Sequence, residues 1–208
     1  MQTQPSETFK LKLFYSKCIQ NVAKLLQSRQ QVASTAITYF RKFYSKNHIS
    51  NSFPELVAIT CLYLATKTEE APLFIKNILS EFKQQIKPNL LIYDVADVSE
   101  FEFYLLEFLD CMTIVESPHR LLQSMIPTDF DAILVQKAWN IINDAYLSDI
   151  CINYDAKLIA VTALQMALNT TGTRYCEELI KIGAKVEWIQ VVELTQDFIE
   201  SFAMINSS

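Results

Sequence analysis

The chain has 208 residues, half of them hydrophobic, a formal net charge of −5 and only two glycines, Gly172 and Gly183. That length suffices for one large domain or two small ones, and so few glycines exclude folds built on many tight turns, which need the positive φ angles glycine supplies. The acids are spread along the chain and no basic face stands out, so direct binding of nucleic acid is not expected and a protein partner is.

Apolar residues at Leu11, Phe14, Cys18, Val22 and Leu25 predict an amphipathic helix over about 7–27. Ser28-Arg29-Gln30-Gln31 reads as a capping box opening a second helix to about Ser45. Ser52-Phe53-Pro54-Glu55 repeats the device, with the proline in the first turn, for a third helix to about Thr68. Pro72 precedes a short fourth helix with Phe74, Ile75, Ile78, Leu79 and Phe82 inward, and 84–96, with Pro88, reads as a loop. Asp97-Val98-Ser99-Glu100 then caps a fifth helix to about Cys111. Its Val98, Phe101, Leu105 and Phe108 form one seam, but Phe103, Tyr104, Leu106 and Leu109 make it apolar on other sides too. Such a helix is covered by several neighbours or meets a partner.

The second half repeats the first. Residues 55–65, ELVAITCLYLA, lie on 157–167, KLIAVTALQMA, at an offset of 102. In both, small residues occupy i, i+3 and i+7: Ala58, Cys61 and Ala65, then Ala160, Ala163 and Ala167. A stripe of this kind lets neighbouring helices approach closely, which places the helix at the centre of its bundle. Further helices are expected near 131–148, 156–169, 174–182 and 187–205. The chain thus reads as all-α, with two tandem helical bundles over 1–112 and 113–208, joined near Thr113–Pro118.

Little in the sequence suggests catalysis. The five cysteines, Cys18, Cys61, Cys111, Cys151 and Cys176, are odd in number and lack C-x-x-C spacing, so they read as small hydrophobes in a reducing compartment. No apolar run reaches membrane-spanning length and the N-terminus lacks a signal-peptide core, so a soluble intracellular protein without membrane contact is expected. There is no glycine-rich phosphate loop, and His48 and His119 fall in predicted loops far apart. No catalytic residue, metal site or cofactor is assigned, and the chain is not expected to be an enzyme. One polar cluster remains, Ala65-Thr66-Lys67-Thr68-Glu69-Glu70 at a helix C-terminus. Lys67 suits the helix dipole, but the two glutamates run against it; the residues alone read as a solvated helix end, with capping of the next segment or a partner-facing surface as the alternatives.

Cys61-Leu62-Tyr63-Leu64-Ala65-Thr66-Lys67-Thr68-Glu69-Glu70 resembles the signature of the cyclin box, in which an apolar helix ends in Ala-Ser-Lys-x-Glu-Glu. Residues 29–36 with 39–44, 102–107 with Asp110-Cys111, 138–146 and 149–154 are similar to segments of the transcriptional, cyclin-C-like branch. The resemblance implies two five-helix cyclin boxes and a nuclear, non-catalytic subunit that activates a cyclin-dependent kinase in RNA polymerase II transcription. It would grip the small lobe and αC helix of the kinase, alongside further subunits of the Mediator kinase module. The kinase-binding residues it implies are Lys67, Glu102, Glu69 and Glu70, with Lys67 and Glu102 forming an interfacial pair. Candidates for a groove between the boxes are His119, Arg120, Trp139, Asp144, Asp149 and Tyr154. The additional N-terminal helix of cyclin C is expected to be missing. So is the substrate groove of cell-cycle cyclins, because the first helix lacks a tryptophan. The alternatives are a cyclin-H-like or cyclin-K-like protein and a TFIIB-like DNA-binding protein built from two cyclin-type repeats.

Overall fold

A computed structural model describes residues 6–49, 53–86, 92–127, 130–171 and 188–207. The described residues form helices and no strand, in two compact units, Met1–Val115 and Glu116–Ser208. The first unit contains α1 (Glu7–Leu25), α2 (Gln30–Lys46), α3 (Pro54–Thr68), α4 (Ile75–Gln85) and α5 (Val95–Phe108). The second contains α6 (Pro118–Met125), α7 (Ala132–Ala145), α8 (Ile150–Asn153), α9 (Ala156–Thr171) and α10 (Trp188–Asn206). The helix expected over 174–182 and Cys176 lie outside the described residues.

In the first unit α3 is central, packing against α1, α2, α4 and α5. Its small-residue stripe makes this possible: Ala58, Cys61 and Ala65 have no exposed surface. Ile19 and Val22 of α1, Ile37 and Phe40 of α2, Ile78 and Phe82 of α4, and Val98 and Leu105 of α5 complete the core. Phe43 of α2 carries the packing outward, with its ring 5.9 Å from Phe101 and 4.9 Å from Phe108. The same arrangement recurs in the second unit, where α9 packs against α6, α7, α8 and α10 and Ala160, Ala163 and Ala167 are fully buried.

Helix ends depart from the sequence expectation for identifiable reasons. The Ser28 capping box does not form: α2 begins at Gln30 with Arg29 at its N-cap and no side-chain cap bond. Ser28 instead completes the exit of α1, its amide donating to Ala23 O while the Gln27 amide donates to Lys24 O, with Gln27 at φ 53°. This paired bonding is the Schellman termination, which normally places glycine at the left-handed position. With glycine scarce, the chain uses Gln27 after α1, Glu70 after α3 and Asp110 after α5, each with the same two bonds.

Phe53 occupies the N-cap of α3 and Pro54 its first position, while Ser52 lies outside the described residues. The fifth helix starts earlier than the Asp97 cap would place it. Asp94 is the N-cap, accepting from the Ala96 and Asp97 amides, and Asp97 accepts from the Asp94 amide, so Asp97 is the far partner of the box. Phe74, expected inward, is the N-cap of α4 and 81% exposed, because the residue before the first turn lies off the helix's buried face. The helices α6 and α8, too short to show a periodic pattern, are additional to the sequence reading. The described cysteines Cys18, Cys61, Cys111 and Cys151 are free; Cys18 and Cys61 are buried, whereas Cys111 is exposed.

Ala58→Phe and Ala160→Phe should each overpack their own bundle and cost about 1–3 kcal/mol in chemical denaturation. Wild-type stability in both variants would contradict the central position of α3 and α9.

Candidate functional site

The end of α3 is where its buried stripe reaches the surface. Thr66 is fully buried, whereas Lys67 is exposed one residue later, so the helix emerges from the bundle within its last turn. Lys67 forms an ion pair with Glu102 of α5, joining the two helices at this end. The Lys67 side chain is 41% exposed and that of Glu102 only 12%. The pair is therefore unevenly exposed. Its acidic member is largely desolvated, and its basic member reaches in from solvent. Lys67 Nζ also lies 4.4 Å from the centre of the Tyr63 ring, one turn back on α3, where the ring quadrupole attracts the cation. That aromatic partner was legible as an i, i+4 spacing but was not singled out.

The two glutamates after Lys67 serve different ends. Glu69 is half-buried at the C-cap, and its Oε1 accepts a 2.6 Å hydrogen bond from Thr35 Oγ1 of α2. This bond offsets the unfavourable dipole and explains an acid at a helix C-terminus without invoking a partner. Glu70 is exposed in the left-handed position at φ 51°, and the Ala71 amide closes the turn on Thr66 O. Behind them, the fully buried Tyr39 donates its hydroxyl to Thr113 O and lies 3.3 Å from Thr68 Oγ1. It thereby ties the segment after α5 to the end of α3. Burial is the main reason its phenol is pushed up to about 12.

Beside this site α5 presents apolar surface. Phe103 is 75% and Tyr104 52% exposed, although Val98 and Leu105 on the same helix are fully buried. Phe43 and Phe101 stand against the Tyr104 ring at 6.3 and 5.4 Å, holding it in place. The first unit thus carries an ion pair and an exposed glutamate at the end of α3, and two exposed aromatic rings on α5.

Of the residues expected in the second unit, His119 and Trp139 come together, with ring centres 4.4 Å apart. Tyr146 also stacks on the imidazole, at 5.9 Å, and His119 Nε2 lies 3.0 Å from Asn143 Oδ1. His119 is therefore a buried tie between α6 and α7. Arg120 is exposed on α6, Asp144 is exposed on α7, and Asp149 is half-buried at the start of α8. Tyr154 leaves that group, donating to Asp197 Oδ2 of α10 at 2.5 Å, and this bond is the main reason its phenol is pushed up to about 12.

The family "Cyclin, N-terminal domain" matches residues 1–113, more than half of the chain. The chain belongs to the cyclin family. It is 35% identical to Cyclin-C of Rattus norvegicus over 77% of this chain and 61% of that protein. It is also 35% identical to the RNA polymerase II holoenzyme cyclin-like subunit of Emericella nidulans, over 76% of this chain and 52% of that one. This cyclin therefore spans roughly half to three-fifths of the length of such relatives. Its fold is that of a chain in the yeast RNA Pol II CTD kinase CTDK-1 complex, with a TM-score of 0.79 at 19% identity over 93% of this chain and 66% of that one. A chain of the yeast TFIIK (Kin28/Ccl1/Tfb3) complex matches with a TM-score of 0.68 at 21% identity, over 95% and 86% respectively. The tandem small-residue bundles are accordingly the two boxes of a cyclin, and the polar end of α3 is its box signature.

Two expectations follow for this cyclin. Lys67→Ala should lower stability by about 1–2 kcal/mol by leaving the Glu102 carboxylate poorly paired, and adding Glu102→Gln should recover much of the loss. No loss in the single variant, or additive losses in the double, would show that the pair does not support the fold.

The second expectation concerns pH. Burial pushes the His119 imidazole down to about 4 from its ordinary value of 6.5, against the opposing bond to Asn143. Between these values the unfolded chain takes up a proton that the folded chain excludes. Stability held above pH 6.5 should therefore fall by as much as about 3 kcal/mol as the pH drops toward 4. Denaturation curves for His119→Gln should lose most of this dependence, and an unchanged pH profile would exclude His119 as its source.

Proposed function

We propose that this cyclin is the regulatory, non-catalytic subunit of a nuclear cyclin-dependent kinase acting in RNA polymerase II transcription, of the kind in the Mediator kinase module. The observation that carries the reading is the Lys67–Glu102 pair, joining α3 to α5 one residue from the exposed Phe103. An amphipathic helix from the partner can lay its apolar side on Phe103 and its polar end on the pair. Lys67 donates to carbonyl oxygens at that end, and Glu102 accepts from an amide or cation; Glu69 and Glu70 form the acidic margin. In a kinase the receiving element is the mobile αC helix of the small lobe. Held inward, that helix completes the Lys–Glu ion pair that positions ATP. The likeness to Cyclin-C and to an RNA polymerase II holoenzyme cyclin-like subunit supports the transcriptional branch. The cyclin itself supplies no phosphoryl-transfer group in this scheme and binds no nucleic acid.

The test is reconstitution with a Mediator-type cyclin-dependent kinase and a peptide substrate from the RNA polymerase II C-terminal repeats. Phosphorylation should require both proteins. Lys67→Glu or Glu102→Lys, assayed where the variants are folded, should weaken kinase binding about thirtyfold, at about 1.4 kcal/mol per decade. Glu200→Lys, an exposed change on α10, should leave binding intact. Phosphate transfer by the cyclin alone, or equal effects of all three changes, would overturn the reading.

A further inference from the structure

α10 is apolar on two opposite sides, and the fold uses one of them. Val191, Leu194, Phe198 and Ser201 are buried, on the side where α10 packs against α9 and α7. On the other side Ile189, Val192 and Ile199 are 68%, 57% and 58% exposed, and Gln196 and Ala203 in the same line are exposed too. The five residues recur at i, i+3, i+7, i+10 and i+14, the alternating spacing of a coiled-coil seam. Successive helical residues turn by about 100°, which sets this seam roughly 160° from the buried side. At about 1.5 Å per residue it runs for about 20 Å.

Charge on the helix is one-sided. From Trp188 to Asn206 there are three acids, Glu193, Asp197 and Glu200, and no lysine or arginine. With Ile189, Gln196 and Ala203 at a and Val192 and Ile199 at d, both exposed glutamates fall at e, seven residues apart. Asp197 stands one step further round the helix, where it accepts from the Tyr154 hydroxyl. The margin at g, with Thr195 and Phe202, carries no charge.

We propose that this exposed seam of α10 docks a basic amphipathic helix of a protein partner. The partner's apolar ridge would lie on Ile189, Val192 and Ile199, and its lysines or arginines, recurring every heptad, would meet Glu193 and Glu200. Spacing and charge select that occupant. The seam's repeat matches the side chains of a second helix and not those of an extended strand, which repeat every two residues. Its acidic edge favours a cationic neighbour and opposes an anionic one, an acidic lipid surface included. Antiparallel pairing of two copies through the seam would set glutamate against glutamate at e, which disfavours the chain as its own partner. Gln196 at a fixes the register, because a polar side chain of the partner matches it best. The seam uses neither α3 nor α5, so the Glu200→Lys change that should spare kinase binding should weaken this contact.

The experiment measures the anisotropy of a labelled synthetic helix of three heptads, titrated with the whole chain. The peptide has leucine at a and d, asparagine at its central a position, and lysine at e and g. Binding is expected, weakening as salt rises. Glu193→Lys with Glu200→Lys should weaken it about tenfold or more, and Val192→Ser with Ile199→Ser about as much. The same reversal at Glu107 and Glu116, exposed carboxylates on other elements, should leave it unchanged. A peptide with glutamate in place of each lysine should not bind. Circular dichroism confirms folding of each variant, with Glu193→Gln and Glu200→Gln as the milder pair should the reversal disturb it. Absence of binding, binding indifferent to the α10 substitutions, or an equal loss in the Glu107 and Glu116 variant overturns the proposal. So does self-association in sedimentation that Val192→Ser with Ile199→Ser abolishes, which would give the seam to a second copy of this chain.

Discussion

The close approach of four helices to α3 is the constraint on which the first box depends. It rests on Ala58, Cys61 and Ala65, none of which has exposed surface. A helix covered on almost every side can show polar groups only where it leaves the bundle, and α3 does so abruptly, from buried Thr66 to exposed Lys67. The turn that follows is fixed by two backbone bonds and by Glu70 at φ 51°. A non-glycine residue there is held against its own conformational preference, which the closed turn and its surroundings must offset. The box signature is thus a consequence of packing depth: small residues inside, then a compact polar exit.

The second box shares the interior of the first and differs at its exit. Ala160, Ala163 and Ala167 are as deeply buried as their counterparts, so the packing solution is the same. Its last turn carries Asn169 and Thr170 in place of the charged cluster, with Lys137 Nζ reaching Thr170 Oγ1 from α7 at 3.3 Å. A cation there comes from a neighbouring helix and meets a hydroxyl, whereas in the first box the cation belongs to the central helix and meets a carboxylate. Identical interiors with different exits are what a duplicated bundle shows when its two copies share a packing solution and not a surface.

How much of this was legible in the sequence depended on the range of the interaction. The central helices and their offset of 102 residues followed from small-residue spacing, because depth of burial imposes that pattern along a single segment. The juxtaposition of Lys67 and Glu102 came through the family resemblance; nothing local indicates that α3 and α5 meet at those residues. The Thr35–Glu69 bond and the Tyr39 tie to Thr113 were invisible for the same reason, joining residues far apart in the chain. Ser28 misled because its sequence context fits a helix start, yet its amide was already committed to the end of α1.

The most direct measure of the central claim is hydrogen–deuterium exchange on this chain, alone and mixed with a Mediator-type cyclin-dependent kinase. The account predicts added protection over the last turn of α3 and over α5, with α9 and α10 unchanged. Protection confined to the second box, with the ends of α3 and α5 exchanging as in the free chain, would contradict it.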